Sequence, residues 1–197
     1  MYKYSGKRIL DIIIAGSGLI ILSPLFALIV IILWFQNNGK PFFYQPRPGL
    51  HSVIFTMIKF RTMTEQKNIN ENSLTDGQRI TKIGSSLRRT SLDEIPQLWN
   101  VFRGNMSIVG PRPLLTEYLP LYNSIQQQRH DVKPGITGWA QVNGRNSISW
   151  KKKFEYDVWY VENLSLRLDI KIILLTVLKI LKPADIKETA IAEKFIG

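Results

Sequence analysis

Residues 9–35, ILDIIIAGSGLIILSPLFALIVIILWF, carry one charge, Asp11, and no other stretch limits the possible folds so strongly. A run this long and apolar reaches transmembrane length. A cleavable signal peptide fits poorly, because the apolar part is too long and no small-residue cleavage site follows. Ser23-Pro24 falls in the middle, where proline deletes a helix hydrogen bond and crowds the preceding turn. Two readings stay open from these residues. A kinked span is one, since neighbouring helices tolerate such prolines. A re-entrant helix–break–helix is the other, and charge favours it. Lys3, Lys7 and Arg8 precede the run, while Lys40, Arg47, Lys59 and Arg61 follow it. Positive charge belongs on the cytoplasmic side, so two basic flanks favour a chain that enters and returns. As helices the arms 9–23 and 25–35 would reach only ~22 and ~16 Å, short of the ~30 Å hydrocarbon core. Asp11, one turn from Lys7 and Arg8, is expected to pair with them near the interface.

The 197 residues suffice for one sizeable core, and nothing divides them into two independent domains. With no cysteine, disulfides and thiolate metal sites are excluded. His51 and His130 stand apart, without ligand-like neighbours. A balance of 26 Lys+Arg against 15 Asp+Glu leaves a net charge of +11, which suits nucleic acid, anionic lipid or phosphorylated substrates. The apolar N-terminus argues against nucleic acid, because such a chain needs lipid to stay in solution.

The remainder reads as α+β, mostly helical. Residues 42–45 and 53–60 are β-rich and flank PRPGLHS, the pattern of a small hairpin. Residues 64–78 are polar and aperiodic, a surface loop. Ile80, Ile83 and Leu87 are spaced for a short helix ending in Arg88-Arg89. Helices are expected over 115–130, 149–162 and 166–182, with a turn-rich stretch over 133–146. The last helix is strongly apolar, with Lys171, Lys179 and Lys182 on one side. An interfacial amphipathic helix and a core helix both fit it.

Asp93 and Glu94 stand just before Pro96, where a helix is expected to begin. Ser91-x-x-Glu94 matches a capping box, so a purely structural role stays open for the pair. A catalytic role draws on the surroundings. A helix start holds a carboxylate ionised and equally suits a phosphate. Arg88, Arg89, Arg103 and the tripeptide Pro111-Arg112-Pro113 lie close in sequence. Flanking prolines limit backbone freedom, so a guanidinium–phosphate contact from Arg112 costs less entropy. Adjacent carboxylates beside arginines suit phosphoryl transfer: one attacks or orients, the other holds Mg²⁺, and the arginines neutralise phosphate oxygens.

KRILDIIIAGSGLIILSPL, QPRPGL, KFRTM, SLRRTSLDEIPQLWNVFRGNMSIVGPRPLL and PGITGWAQVNGR, in that order, resemble the bacterial sugar transferase family. These are the monotopic phosphoglycosyl transferases that begin assembly of surface glycans. The resemblance covers nearly the whole chain, which opens at Met1 and looks like the family's minimal form. EYLPLYN and SWKKKFEYDVWYVEN are most similar to the PglC-type enzymes, which act on UDP-linked diacetamido sugars.

The resemblance implies a ping-pong sugar-1-phosphate transferase that uses a UDP-sugar, polyprenyl (undecaprenyl) phosphate and Mg²⁺. Asp93 would be the nucleophile and Glu94 the Mg²⁺ partner. Arg112, with Pro111 beside it, would bind phosphate, and Lys59, Arg88, Arg145 and Asp157 are further substrate-binding candidates. It also implies a re-entrant break at Ser23-Pro24 within residues 1–36. Residues 37–197 would form the catalytic part on the cytoplasmic face of the bacterial inner membrane, feeding downstream glycosyltransferases. Ordinary alternatives stand beside the secondary candidates. Lys59 could face solvent, Arg145 could be a turn cation, and Asp157 could bond a backbone group or an arginine. A membrane-anchored scaffold for anionic lipids is the competing function. It explains the charge and the apolar run but not the carboxylate pair beside Pro-Arg-Pro.

Overall fold

The apolar run folds into two helices rather than one. A computed structural model describes residues 2–64, 79–144, 147–181, 195 and 196. Helix α1 (Lys7–Ile21) follows a short π-helical segment, Tyr2–Gly6, and meets α2 (Ser23–Gln36) at Leu22 with a bend of 63°. Pro24 sits in the first turn of α2, where its missing N–H costs little. The carbonyl that a residue-24 N–H would have met, that of Ile20, accepts the Ser23 hydroxyl at 2.8 Å instead. Ser-Pro therefore bends the chain and satisfies a carbonyl that the bend frees. Among the described residues no single helix is long and apolar enough to cross a membrane. The bent pair reaches that length and apolarity only together.

One side of α1 is buried in protein. Gly16 and Gly18 let it approach the helix α4 (Gln97–Arg103): a Cβ at these positions would lie 3.6 Å from Phe102 and 3.1 Å from Leu98. Asp11 does not pair with Lys7 and Arg8. Its Oδ1 accepts the Ser107 hydroxyl and the Ile108 N–H, both at 2.9 Å. Lys7 reaches Asp169 at 2.6 Å, and Arg8 donates to the Val101 and Phe102 carbonyls at 2.6 and 2.7 Å, at the end of α4. Tertiary packing offers these charges buried strand and helix-end groups that local pairing would leave unsatisfied. The other side of α1 and much of α2 expose Ile9, Ile13, Ile20, Ile21, Leu28, Ile31 and Phe35.

Strands β1 (Phe42–Pro48) and β2 (Ile54–Phe60) form the expected hairpin, in register from Phe42↔Phe60 to Pro48↔Ile54. Pro46-Arg47-Pro48 belongs to the strand rather than the turn, which a two-stranded sheet tolerates because both strands are edges. Phe60 stacks on Phe42 and packs against Phe26, joining the hairpin to α2. Helix α3 (Lys82–Arg89) is capped by Thr81, whose hydroxyl accepts the Gly84 N–H at 2.9 Å. The polar loop expected from residue 64 lies, beyond that residue, outside the described residues, as does Lys182.

Two short strands, β3 (Ser107–Val109) and β4 (Gly135–Thr137), pair in parallel. Neither strand is expected from the sequence, and β4 falls within the stretch read as turn-rich. Gly110, Gly135 and Gly138 meet backbone to backbone there, leaving no room for a Cβ. The continuous helix expected over 115–130 is broken into a 3₁₀ turn with Pro120 inside it, a four-residue α5 (Ser124–Gln127) capped by Asn123, and a further 3₁₀ turn, Gln128–His130. Helices α6 (Trp139–Val142), α7 (Trp150–Glu162) and α8 (Leu166–Leu181) complete the fold. The core reading of the last helix holds for one side only, and the other side is apolar and exposed. The helix buries Leu168, Asp169 and Ile172 in the core and exposes Ile170, Leu174, Val177, Leu178 and Ile180.

Candidate active site

The carboxylate pair sits where three segments converge: β2, the 3₁₀ turn Leu92–Glu94, and the Pro-Arg-Pro turn that follows β3. The capping-box reading does not hold. Ser91 is in the left-handed region (φ 58°) and its side chain caps nothing, while α4 begins only after Pro96. Glu94 turns away from Ser91 because two cations hold it. Lys59 Nζ lies 2.7 Å and Arg112 Nη2 2.6 Å from the same oxygen, Glu94 Oε1. Side-chain charge, not a helix dipole, therefore sets the electrostatics here.

The two carboxylates differ. Asp93 is 8 % exposed, and its carboxylate accepts no hydrogen bond among the described residues. Burial raises its pKa, and the neighbouring Glu94 charge adds to this against the pull of Lys59, Arg112 and Arg88. Burial would also raise Glu94, but Arg112 and Lys59 outweigh it and hold that carboxyl well below the usual range. Glu94 is thus a fixed anion, while Asp93 is uncommitted. Burial and the Arg112 charge in turn lower Lys59, against the attraction of Glu94.

Arg112 sits on a turn pinned through its carbonyls. Gly135 N–H donates to the Pro111 carbonyl at 3.0 Å, and Arg129 Nη2 to the Arg112 carbonyl at 2.7 Å. Pro111 and Pro113 are buried, whereas the Arg112 side chain keeps 42 % exposure, open to a ligand. Arg88, in the last turn of α3, donates from its Nε to the Thr62 hydroxyl at 2.9 Å, and its charge is felt at Asp93. Asp157 lies behind the site: its Oδ2 is 2.8 Å from Arg129 Nη2, and it is 2 % exposed. Arg145 lies outside the described residues. Lys59, Asp93, Glu94, Arg88 and Arg112 are thus brought together, and Asp157 connects through Arg129. Arg129 stands in no motif, and Thr62 lies within KFRTM without being a site candidate there; the importance of both comes from what they touch.

Among the described residues no three His, Asp or Glu side chains gather in a metal-binding group. Mg²⁺ typically takes one or two carboxylates and completes its shell with substrate phosphates and water. Asp93 and Glu94 are oxygen donors of that kind.

The sequence model of the family described as "Bacterial sugar transferase" matches residues 2–183. The uncharacterized sugar transferase EpsL of Bacillus subtilis (strain 168) is 51 % identical over 193 residues, covering 97 % of this chain and 96 % of that protein. Exopolysaccharide production protein ExoY of Sinorhizobium fredii (strain NBRC 101917 / NGR234) is 40 % identical over 188 residues, covering 87 % and 83 %. The UDP-glucose:undecaprenyl-phosphate glucose-1-phosphate transferase of Xanthomonas campestris pv. campestris is 42 % identical over 191 residues, covering 91 % of this chain but 40 % of that longer protein.

Proposed function

The chain belongs to the bacterial sugar transferase family, and we propose that it moves a sugar-1-phosphate from a UDP-sugar to polyprenyl phosphate through an aspartyl intermediate. The observation that carries this reading is the contrast within the pair: Glu94 is held by Lys59 and Arg112, whereas Asp93 is buried with its oxygens uncommitted. A carboxylate free of donors keeps its lone pairs for attack.

An Asp93 oxygen attacks the sugar-bearing phosphorus, the bond from that phosphorus to the bridging oxygen breaks, and UMP leaves. An oxygen of polyprenyl phosphate then attacks the same phosphorus. The bond to Asp93 breaks, restoring the carboxylate and giving polyprenyl-diphosphate-sugar. Arg112 and Arg88 neutralise phosphate oxygens in both steps. Lys59 keeps Glu94 oriented. Glu94, with the donor phosphates, would hold Mg²⁺, which supplies further neutralisation of phosphate charge. An acyl phosphate is sensitive to water, so a site at the lipid surface suits it. The 63° bend supports a re-entrant α1–α2 on the cytoplasmic face of the inner membrane, with the exposed apolar side chains in lipid. Downstream glycosyltransferases would extend the product.

The names of several relatives weigh toward UDP-glucose as donor. The segments 117–123 and 149–163 weigh toward an N-acetylated sugar such as UDP-N,N′-diacetylbacillosamine. A screen of UDP-sugars with detergent-solubilised protein, Mg²⁺ and undecaprenyl phosphate, read by UMP release, selects between them. Asp93→Asn is expected to abolish turnover while the protein remains folded. Undiminished UMP release from that variant overturns the nucleophile assignment.

A further inference from the structure

Behind the Pro-Arg-Pro turn lies an ion pair that the transfer steps do not use. Arg129 and Asp157 are each 2 % exposed. Arg129 Nε and Nη2 donate to Asp157 Oδ2 at 3.1 and 2.8 Å, and the same Nη2 donates to the Arg112 carbonyl at 2.7 Å. The rings of Tyr122 and Phe154 flank the guanidinium, 5.9 and 5.8 Å from its centre. Desolvation offsets most of the attraction in such a buried pair, so apolar residues could fill the space with little loss of stability. They could not donate to a carbonyl.

That carbonyl matters because of the prolines around it. Pro111 and Pro113 have no N–H, so within the tripeptide only Arg112 could be held through a backbone donor. The turn is instead gripped by its oxygens: Pro111 by the Gly135 N–H, Arg112 by Arg129, and Pro113 by Arg47 Nη1 at 3.5 Å. Of these three contacts, only the one from Arg129 bears on the peptide that leaves Arg112 itself. The direction of that carbonyl fixes ψ at Arg112, and with it the base from which the side chain reaches Glu94.

We infer that Asp157 is a positioning residue for phosphosugar transfer: it orients Arg129, which fixes the Arg112 backbone and so aims the Arg112 guanidinium at the donor phosphate. The inference rests on the proposed role of Arg112. It places Asp157, on α7, at one remove from the reacting atoms rather than in contact with them.

A double-variant cycle on UMP release tests it, using Asp157→Asn, Arg112→Ala and their combination in full-length protein. Asp157→Asn keeps the side chain's shape but removes the charge. It is expected to lower kcat on the order of 10- to 100-fold, the scale of a modest misplacement of a catalytic group, with KM for the UDP-sugar changing less. In the Arg112→Ala background the same substitution should have almost no further effect, because its route to the phosphate is gone. Asp157→Glu should restore part of the loss. If Asp157→Asn is not recovered folded, Arg129→Lys, which keeps the charge but loses the planar fork, takes its place in the cycle. Losses that multiply in the double variant, or wild-type kinetics in Asp157→Asn, overturn the positioning role alone. Wild-type turnover in Arg112→Ala overturns the Arg112 assignment itself, and the positioning role with it.

Discussion

Lys7 Nζ lies 2.6 Å from the Asp169 carboxylate, joining the first turn of α1 to α8 in the interior of the protein. The Tyr2 and Tyr160 hydroxyls converge on the same carboxylate at 2.6 and 2.7 Å. Asp169 is fully buried and Lys7 nearly so. Asp169→Asn keeps the size but leaves the ammonium without a counter-charge, an arrangement that costs about 3–5 kcal/mol. A large drop in the unfolding temperature of the detergent-solubilised variant is expected. Replacing both residues with apolar side chains should recover much of it. A wild-type melting curve for Asp169→Asn alone would contradict the buried pair.

Lys59 and Arg112 hold Glu94 from opposite segments, so removing one cation makes the site more negative. Lys59→Met retains most of the buried volume and Arg112. The variant is expected to release UMP at least tenfold more slowly, the typical scale for loss of a positioning or electrostatic group. Its half-saturating Mg²⁺ concentration should fall, because a divalent cation gains where a competing ammonium is lost. Titrating Mg²⁺ in wild type and variant checks the sign. A raised requirement in the variant would mean that Lys59 acts by shaping the site rather than by competing for charge.

Elements with strong periodicity or one decisive residue were legible in the sequence: the break at Ser23-Pro24, the hairpin, α3, α7 and α8. The β3–β4 pair was not, since each strand has three residues, too few to show a period. Asp11 and Ser91 misled for a shared reason. Each has a plausible local partner, at Lys7 and Glu94, yet the chain supplies better ones for those groups from far away: Ser107 and Ile108 for Asp11, Lys59 and Arg112 for Glu94. Spacing reports what is near along a helix and says nothing of a strand that arrives 96 residues later. Arg129 was invisible because its segment has no motif, and its role comes from the carbonyl it touches.

The bend between α1 and α2 fits either a broken span or a re-entrant hairpin, and labelling separates them. If the hairpin is re-entrant, positions 3 and 40 lie on one membrane face. The chain has no cysteine, so Lys3→Cys and Lys40→Cys each introduce a unique label site. In sealed inner-membrane vesicles of defined orientation, an impermeant maleimide should react with both variants from the cytoplasmic side and with neither from the other. Labelling of the two from opposite faces refutes the hairpin and restores a kinked span.

His130 gives the fold an acid limit. Its Nδ1 lies 3.3 Å from the Gly49 carbonyl, and its Nε2 is buried without a hydrogen-bond partner among the described residues. Burial, and then the charge of Arg129, lower its pKa from the ordinary 6.5 to about 4, against weaker attraction from the Gly49 carbonyl and Asp131. The folded imidazole therefore stays neutral in a range where the unfolded chain takes up a proton. Its contribution is complete above the unfolded value and is lost as pH falls toward the folded one. The size of the effect is on the order of 3 kcal/mol. His130→Gln can still donate to the Gly49 carbonyl but does not titrate. Between pH 7 and pH 4.5, wild type should lose more thermal stability than His130→Gln, while carboxylates common to both proteins cancel in the comparison. Equal losses in the two proteins would show that the proton goes elsewhere.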